Sequence, residues 1–195
     1  AAGEGDRADR FTAAARQYDW AGAVVRARGF RRLADALTRF VENHDYEAAR
    51  TSLGANETGL PESWLVEGEH AYTELETGAG EPLSVLLTGS GANEVVIESA
   101  PGPGVILDFG GDDEYEGYFA SGRPLGVLVD GAGDDTYRAD EIFSGSSAVL
   151  GFAALIDRGG GDIYRGTSYA LGSSIFGYSL LVDGDLQGGL STVSA

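Results

Sequence analysis

Six aspartates are the residues whose type and spacing point most directly to chemistry in this chain. Asp108 and Asp113, Asp130 and Asp135, and Asp157 and Asp162 fall as three pairs inside a repeated phrase. Residues 105–115 read VILDFGGDDEY, residues 126–138 read GVLVDGAGDDTYR and residues 155–164 read LIDRGGGDIY. Each phrase has an apolar run, a leading Asp, a glycine-rich turn with a second Asp, and a Tyr seven positions after the first. Carboxylates beside glycine carbonyls form a hard oxygen donor set, which suits Ca²⁺. Soft or borderline metals fit poorly, because there is no Cys and there are only two His.

Degenerate copies flank the three strong ones. Residues 84–95, SVLLTGSGANEV, align with 126–137 so that Thr88 stands at the leading Asp and Asn93 at the turn Asp, with Val95 at the Tyr. Asp183 leads a last copy that lacks both the second acid and the Tyr. The leading positions Thr88, Asp108, Asp130, Asp157 and Asp183 are spaced 20, 22, 27 and 26 residues apart. Internal periods of this size predict a solenoid, each unit burying its apolar face only against its neighbours. The segments between phrases are short, Gly/Ser-rich and without helical periodicity, so the expected fold is mainly β: a right-handed parallel β-helix with an N-terminal α-helical segment.

That organisation divides the chain into 1–55, a helical cap or docking arm; 56–83, a transition holding a first degenerate coil; and 84–195, the Gly/Asp-rich β-solenoid. In the first part Asp6, Asp19 and Asp45 are candidate helix caps. Gly29 reads as an interruption, and Leu33, Leu37, Phe40 and Val41 recur at helical spacing. In the second part residues 64–72, WLVEGEHAY, read as a shortened phrase with Glu67 in place of the leading Asp.

The aligned turns resemble the calcium-binding nonapeptide of the RTX, or haemolysin-type, family, G-G-x-G-x-D-x-U-x with U a large apolar residue. Gly131, Gly133, Asp135 and Tyr137 take its second, fourth, sixth and eighth places; Gly111, Asp113 and Tyr115 match in the earlier copy, and Gly160, Asp162 and Tyr164 in the later one. The resemblance implies that Asp113, Asp135 and Asp162 would ligate Ca²⁺ together with turn carbonyls. Here the first position is Asp and the phrases lie 20 to 27 residues apart, so each coil holds one such turn.

Charge gives a separate reason to expect a cation. Residues 51–195 hold four Arg against 23 acids, a balance of −19 within a net charge of −18. Stacked coils lie about 4.8 Å apart, and two unit charges at that distance repel by roughly 3 kcal/mol at an effective dielectric near 20. Columns of Asp108, Asp130, Asp157 and Asp183 and of Asp113, Asp135 and Asp162 therefore need compensation. Two readings stay open: Ca²⁺ between coils, or metal-free turns in which Asp accepts backbone N–H groups. Tyr115, Tyr137 and Tyr164 read as a stacked aromatic ladder.

Such acidity repels nucleic acid and anionic lipid, and no apolar run is long enough for a membrane helix. The Ala-Ala start without Met fits a processed, exported chain, so the expected location is secreted, periplasmic or cell-surface. The leading functional expectation is a non-catalytic structural or interaction module stabilised by Ca²⁺, with a protein partner or self-association through the Arg-rich helices or the C-terminal coil. The alternatives are a carbohydrate-active β-helix enzyme with its site on a sheet face or in the loop 138–147, and a metal-free structural subunit of a larger assembly. Recurrence of the paired acids as repeat elements argues against a single acid–base pair in one cleft.

Overall fold

A computed structural model describes residues 20–77, 81–122, 124–184 and 192–194. The expected caps at Asp6 and Asp19 lie outside the described residues. The chain divides into two compact units, Ala1–Arg32 and Leu33–Ala195. Helix α1, Trp20–Asn43, begins in the first and ends in the second. It runs straight through Gly29, where the sequence pattern suggested a break; a lone glycine costs a helix only about 1 kcal/mol, too little to stop one this long. Helix α2, Tyr46–Leu53, starts where expected: the Asp45 carboxylate accepts the Ala48 N–H, and Gly54, in the left-handed region, closes the other end.

All strands belong to the second unit, which is a β-solenoid. In chain order they are β1 (Trp64–Glu67), β2 (His70–Leu75), β3 (Leu83–Thr88), β4 (Glu94–Ile97), β5 (Val105–Asp108), β6 (Glu114–Gly117) and β7 (Leu125–Asp130). There follow β8 (Thr136–Ala139), β9 (Ala148–Val149), β10 (Phe152–Asp157), β11 (Ile163–Gly166), β12 (Ser174–Ile175), β13 (Tyr178–Asp183) and β14 (Thr192–Ser194). One sheet has the order β13-β10-β7-β5-β3-β2 and the other β1-β4-β6-β8-β11-β14, while β9 and β12 form a short third pair. Among β3 to β14 every mutual pairing is parallel. Each coil runs from the first sheet through a five-residue turn, such as 109–113 or 131–135, into the second.

The registers place the repeat as the alignment requires. Thr88 pairs with Asp108, Asp130 with Asp157 and Asp157 with Asp183; Val95, Tyr115, Tyr137 and Tyr164 are likewise successive partners. Leu86, Ile106, Leu128 and Leu155 face the interior and are fully buried. Side chains alternate along a strand, so the leading aspartates two residues later point inward too.

The first pair of strands departs from the sequence reading. Residues 64–72 are not a shortened parallel coil: β1 pairs antiparallel with β4 and β2 antiparallel with β3. Only Gly68 and Glu69 separate β1 from β2, too short a link for another coil. Glu67 consequently faces Glu94, and His70 takes the place beside Thr88. This reversed unit covers the end of both sheets, where an open edge would otherwise invite pairing. Within the compact unit Leu33–Ala195, the Tyr46 ring meets Phe109 edge-on, centroids 6.3 Å apart, and Glu42 pairs with Arg158.

The turns stack closely enough to demand glycine. Gly133 has φ +154° and Gly160 has φ +151°, and a Cβ on either would overlap the carbonyl of the equivalent glycine in the preceding coil, Gly111 and Gly133 respectively. Gly91 meets nothing at its Cβ position. Gly133→Ala should therefore destabilise the protein by about 3 kcal/mol or more, whereas Gly91→Ala should stay within about 0.5 kcal/mol of the parent. Urea unfolding of the two variants measures the contrast.

Candidate metal centre

The six sequence-selected aspartates come together in the solenoid interior as two triads: Asp108, Asp113 and Asp130, and Asp135, Asp157 and Asp162. Each triad draws leading and turn aspartates from two adjacent coils, so the two columns expected from the sequence merge into clusters between coils. Within a triad one ligand atom from each residue lies within 4.8 Å of the others. A single ion with bonds of about 2.3–2.6 Å to oxygen can span such a set. None of the six is more than 3 % exposed. Asp183, in register with Asp157, is exposed and belongs to neither triad.

Much of this carboxylate surface is already bonded. The turn aspartates bond along the solenoid axis: Asn93 N–H donates to Asp113 Oδ1 at 2.5 Å, Asp113 N–H to Asp135 Oδ1 at 2.7 Å and Asp135 N–H to Asp162 Oδ1 at 2.9 Å. The leading aspartates bond within their own turns, Gly110 N–H donating to Asp108 Oδ1 at 2.6 Å and Gly159 N–H to Asp157 Oδ1 at 3.0 Å. The bonds of the leading aspartates are the metal-free turn bonds anticipated from the sequence, those of the turn aspartates between coils were not anticipated, and both coexist with open oxygens. Asp113 Oδ2, Asp130 Oδ1 and Asp135 Oδ2 are buried with no hydrogen-bond partner. A buried acceptor without a donor is costly, more so when charged. The three open oxygens are the structural feature that fits a cation.

The sequence reading missed the role of the tyrosine hydroxyls. Tyr115 donates to Asp108 Oδ2 at 2.5 Å, Tyr137 to Asp130 Oδ2 at 2.8 Å and Tyr164 to Asp157 Oδ2 at 2.7 Å. Tyr137 also lies 3.1 Å from Asp157 Oδ2, and Thr88 donates to Asp108 Oδ2. The constant interval of seven residues from Asp to Tyr was the available signal: it spans the five-residue turn and brings one side chain from each sheet across the interior. The rings stack as expected, with centroids 5.1 and 4.9 Å apart and planes 8° from parallel.

Electrostatics follow from burial. Asp108 is pushed up to about 7, first by burial and then by the charge of Asp113, against the pull of its hydrogen bonds from Thr88, Tyr115 and Gly110. Asp135 is pushed up to about 8, chiefly by burial, with the charges of Asp113, Asp157 and Asp108 adding to it. Burial and the charges of Asp108, Asp135 and Asp157 hold Asp130 well above the carboxylate range, and burial raises Asp113. Burial also raises Tyr115 and Tyr137 well above the usual phenol value, so their hydroxyls remain donors. Among the described residues, the ion pairs of Arg50, Arg138 and Arg158 go to Glu47, Glu57, Glu114 and Glu42, not to Asp108, Asp113, Asp130 or Asp135.

Comparison with family models, curated proteins and solved structures gave no match, so the reading of function rests on this geometry.

The raised carboxyls make a pH prediction with a definite sign. An unfolded Asp titrates near 3.9, below the folded values of about 7 and about 8 for Asp108 and Asp135. The folded protein therefore holds protons that the unfolded chain releases. Their stabilising contribution is complete below about pH 4 and is lost as pH rises through 7 to 8. In chelator, the urea midpoint should fall across that window, and Asp108→Asn should flatten the fall.

Proposed function

We propose that this chain is a non-catalytic structural or interaction module, an exported β-solenoid stabilised by Ca²⁺ held between coils at the two aspartate triads. One observation carries the reading: three carboxylate oxygens are enclosed without donors in clusters where neighbouring carboxylate oxygens already accept from the backbone and from tyrosine. A bound Ca²⁺ would supply those oxygens with a partner and offset the repulsion between coils. Full enclosure also supports a structural role, since no substrate could reach these carboxylates in the folded state. The carbohydrate-active alternative would need an open cleft with one distinctive acid pair.

The outer surface supports the interaction part. Leu150, Tyr169 and Phe176 are exposed at corners of the coils, with φ of 57°, 58° and 52°. A large apolar residue in the left-handed region is strained, and equivalent corners of successive coils carry Leu150 and Phe176. A protein partner or a second copy would cover them. The absence of Cys leaves metal and packing as the means of stapling an exported chain. No helix among the described residues is long and apolar enough to cross a membrane.

Calcium at a hundredfold excess over its dissociation constant should stabilise the fold by about 2.7 kcal/mol, a rise in melting temperature of roughly 5–10 °C for a chain of this size. EGTA should reverse it, and Mg²⁺ should substitute poorly. Terbium provides a second readout: bound beside Tyr115 and Tyr137, it should luminesce on tyrosine excitation and be displaced by Ca²⁺. An unchanged melting temperature with no tyrosine-sensitised emission would remove calcium from the proposal and leave a metal-free solenoid.

A further inference from the structure

We infer that the two triads are unequal, that Asp108, Asp113 and Asp130 take the first cation, and that Ala132 sets this order. The inference rests on the calcium reading above and goes beyond it in assigning order and cause.

The three leading aspartates sit at equivalent places, yet only two make the same turn. Asp108 and Asp157 each accept the N–H of a glycine two residues on, and those glycines, Gly110 and Gly159, have φ of 110° and 147°. The corresponding residue after Asp130 is Ala132, which is not among the positive-φ residues. An alanine resists that backbone conformation because its Cβ meets neighbouring carbonyls. The turn is then built without the bond, and Asp130 Oδ1, in a residue with 0 % exposure, is left without a donor.

The first triad therefore holds two open acceptors, Asp130 Oδ1 and Asp113 Oδ2. The second triad is more fully committed. Asp157 Oδ1 is occupied by Gly159, and Asp157 Oδ2 has two phenol hydroxyls near it, from Tyr137 and Tyr164. Its open acceptor is Asp135 Oδ2. A cation gains most where lone pairs are already stripped of water and accept no hydrogen bond, because it displaces no protein donor there. Both triads include a residue of the middle coil, so the sites lie about one coil spacing apart. Two dications at that range repel strongly, and the first to bind weakens the second.

Calorimetric titration of the metal-depleted full chain with Ca²⁺ tests this. The parent should show a tight first equivalent and a second at least about tenfold weaker. Ala132→Gly, at an exposed turn position, lets the turn take the path seen after Asp108 and Asp157, in which the N–H two residues on meets the carboxylate; it should weaken the first step about tenfold with unchanged circular dichroism. Asp130→Asn should remove the first step, and Asp162→Asn should remove the second. Two equal steps, an Ala132→Gly titration identical to the parent, or loss of the tight step in Asp162→Asn would each overturn the assignment while leaving calcium binding in place. Absence of uptake by the parent chain would instead overturn the calcium reading itself, and this inference with it.

Discussion

The hydrogen bond from a tyrosine hydroxyl on one sheet to an aspartate carboxylate on the other ties each repeat together across the interior. It occurs as Tyr115 to Asp108, Tyr137 to Asp130 and Tyr164 to Asp157. The bond requires an inward-facing aspartate at the end of one strand and a turn of fixed length. It also requires an inward-facing aromatic ring long enough to cross the coil. Strand parity, turn length and ring stacking in the repeat all serve that contact. Where the Tyr is replaced by Val95, the leading Asp is replaced by Thr88, and a hydroxyl that can donate stands in for a carboxylate that must accept.

Carboxylates are an expensive choice for the inside of a narrow solenoid. An apolar interior would avoid repulsion of roughly 3 kcal/mol per neighbouring pair, together with the desolvation of each charge. The fold offsets this through backbone N–H groups aimed along the axis at the turn aspartates and through the hydroxyls of Tyr and Thr. Protons also help, which is why Asp108 and Asp135 lie so far above the usual carboxylate range. A proton and a divalent cation would be alternative ways to relieve the same field.

Several parts of this arrangement were legible in the residues themselves. The spacings from Thr88 to Asp183 predicted the parallel solenoid and its register, because a repeat that buries its apolar face only against neighbours must stack in phase. Asp45 marked the start of α2, since a carboxylate before a helical run satisfies a free N–H wherever the helix lies. Other parts were not legible. Residues 64–72 share the composition of a coil, but strand direction depends on the path by which the chain returns, and only the pairings of β1 and β2 reveal it. Gly29 looked like a break because local propensity was the only evidence, and the surrounding helix outweighs it.

The sequence by itself determined which side chains share a column, since periodicity sets position along a stacked fold: the six aspartates, the three tyrosines and the glycines that let the turns nest were all identifiable from spacing. The tertiary structure alone decided which members of different columns meet. Depth and rotamer bring Asp108, Asp113 and Asp130 into one cluster and Asp135, Asp157 and Asp162 into another. They also bring the tyrosine hydroxyls onto the leading carboxylates and leave Asp130 Oδ1 without a donor beside Ala132. The physical reason is that a repeat specifies its copies one coil at a time, whereas partnership across the interior depends on how two sheets and three turns pack together.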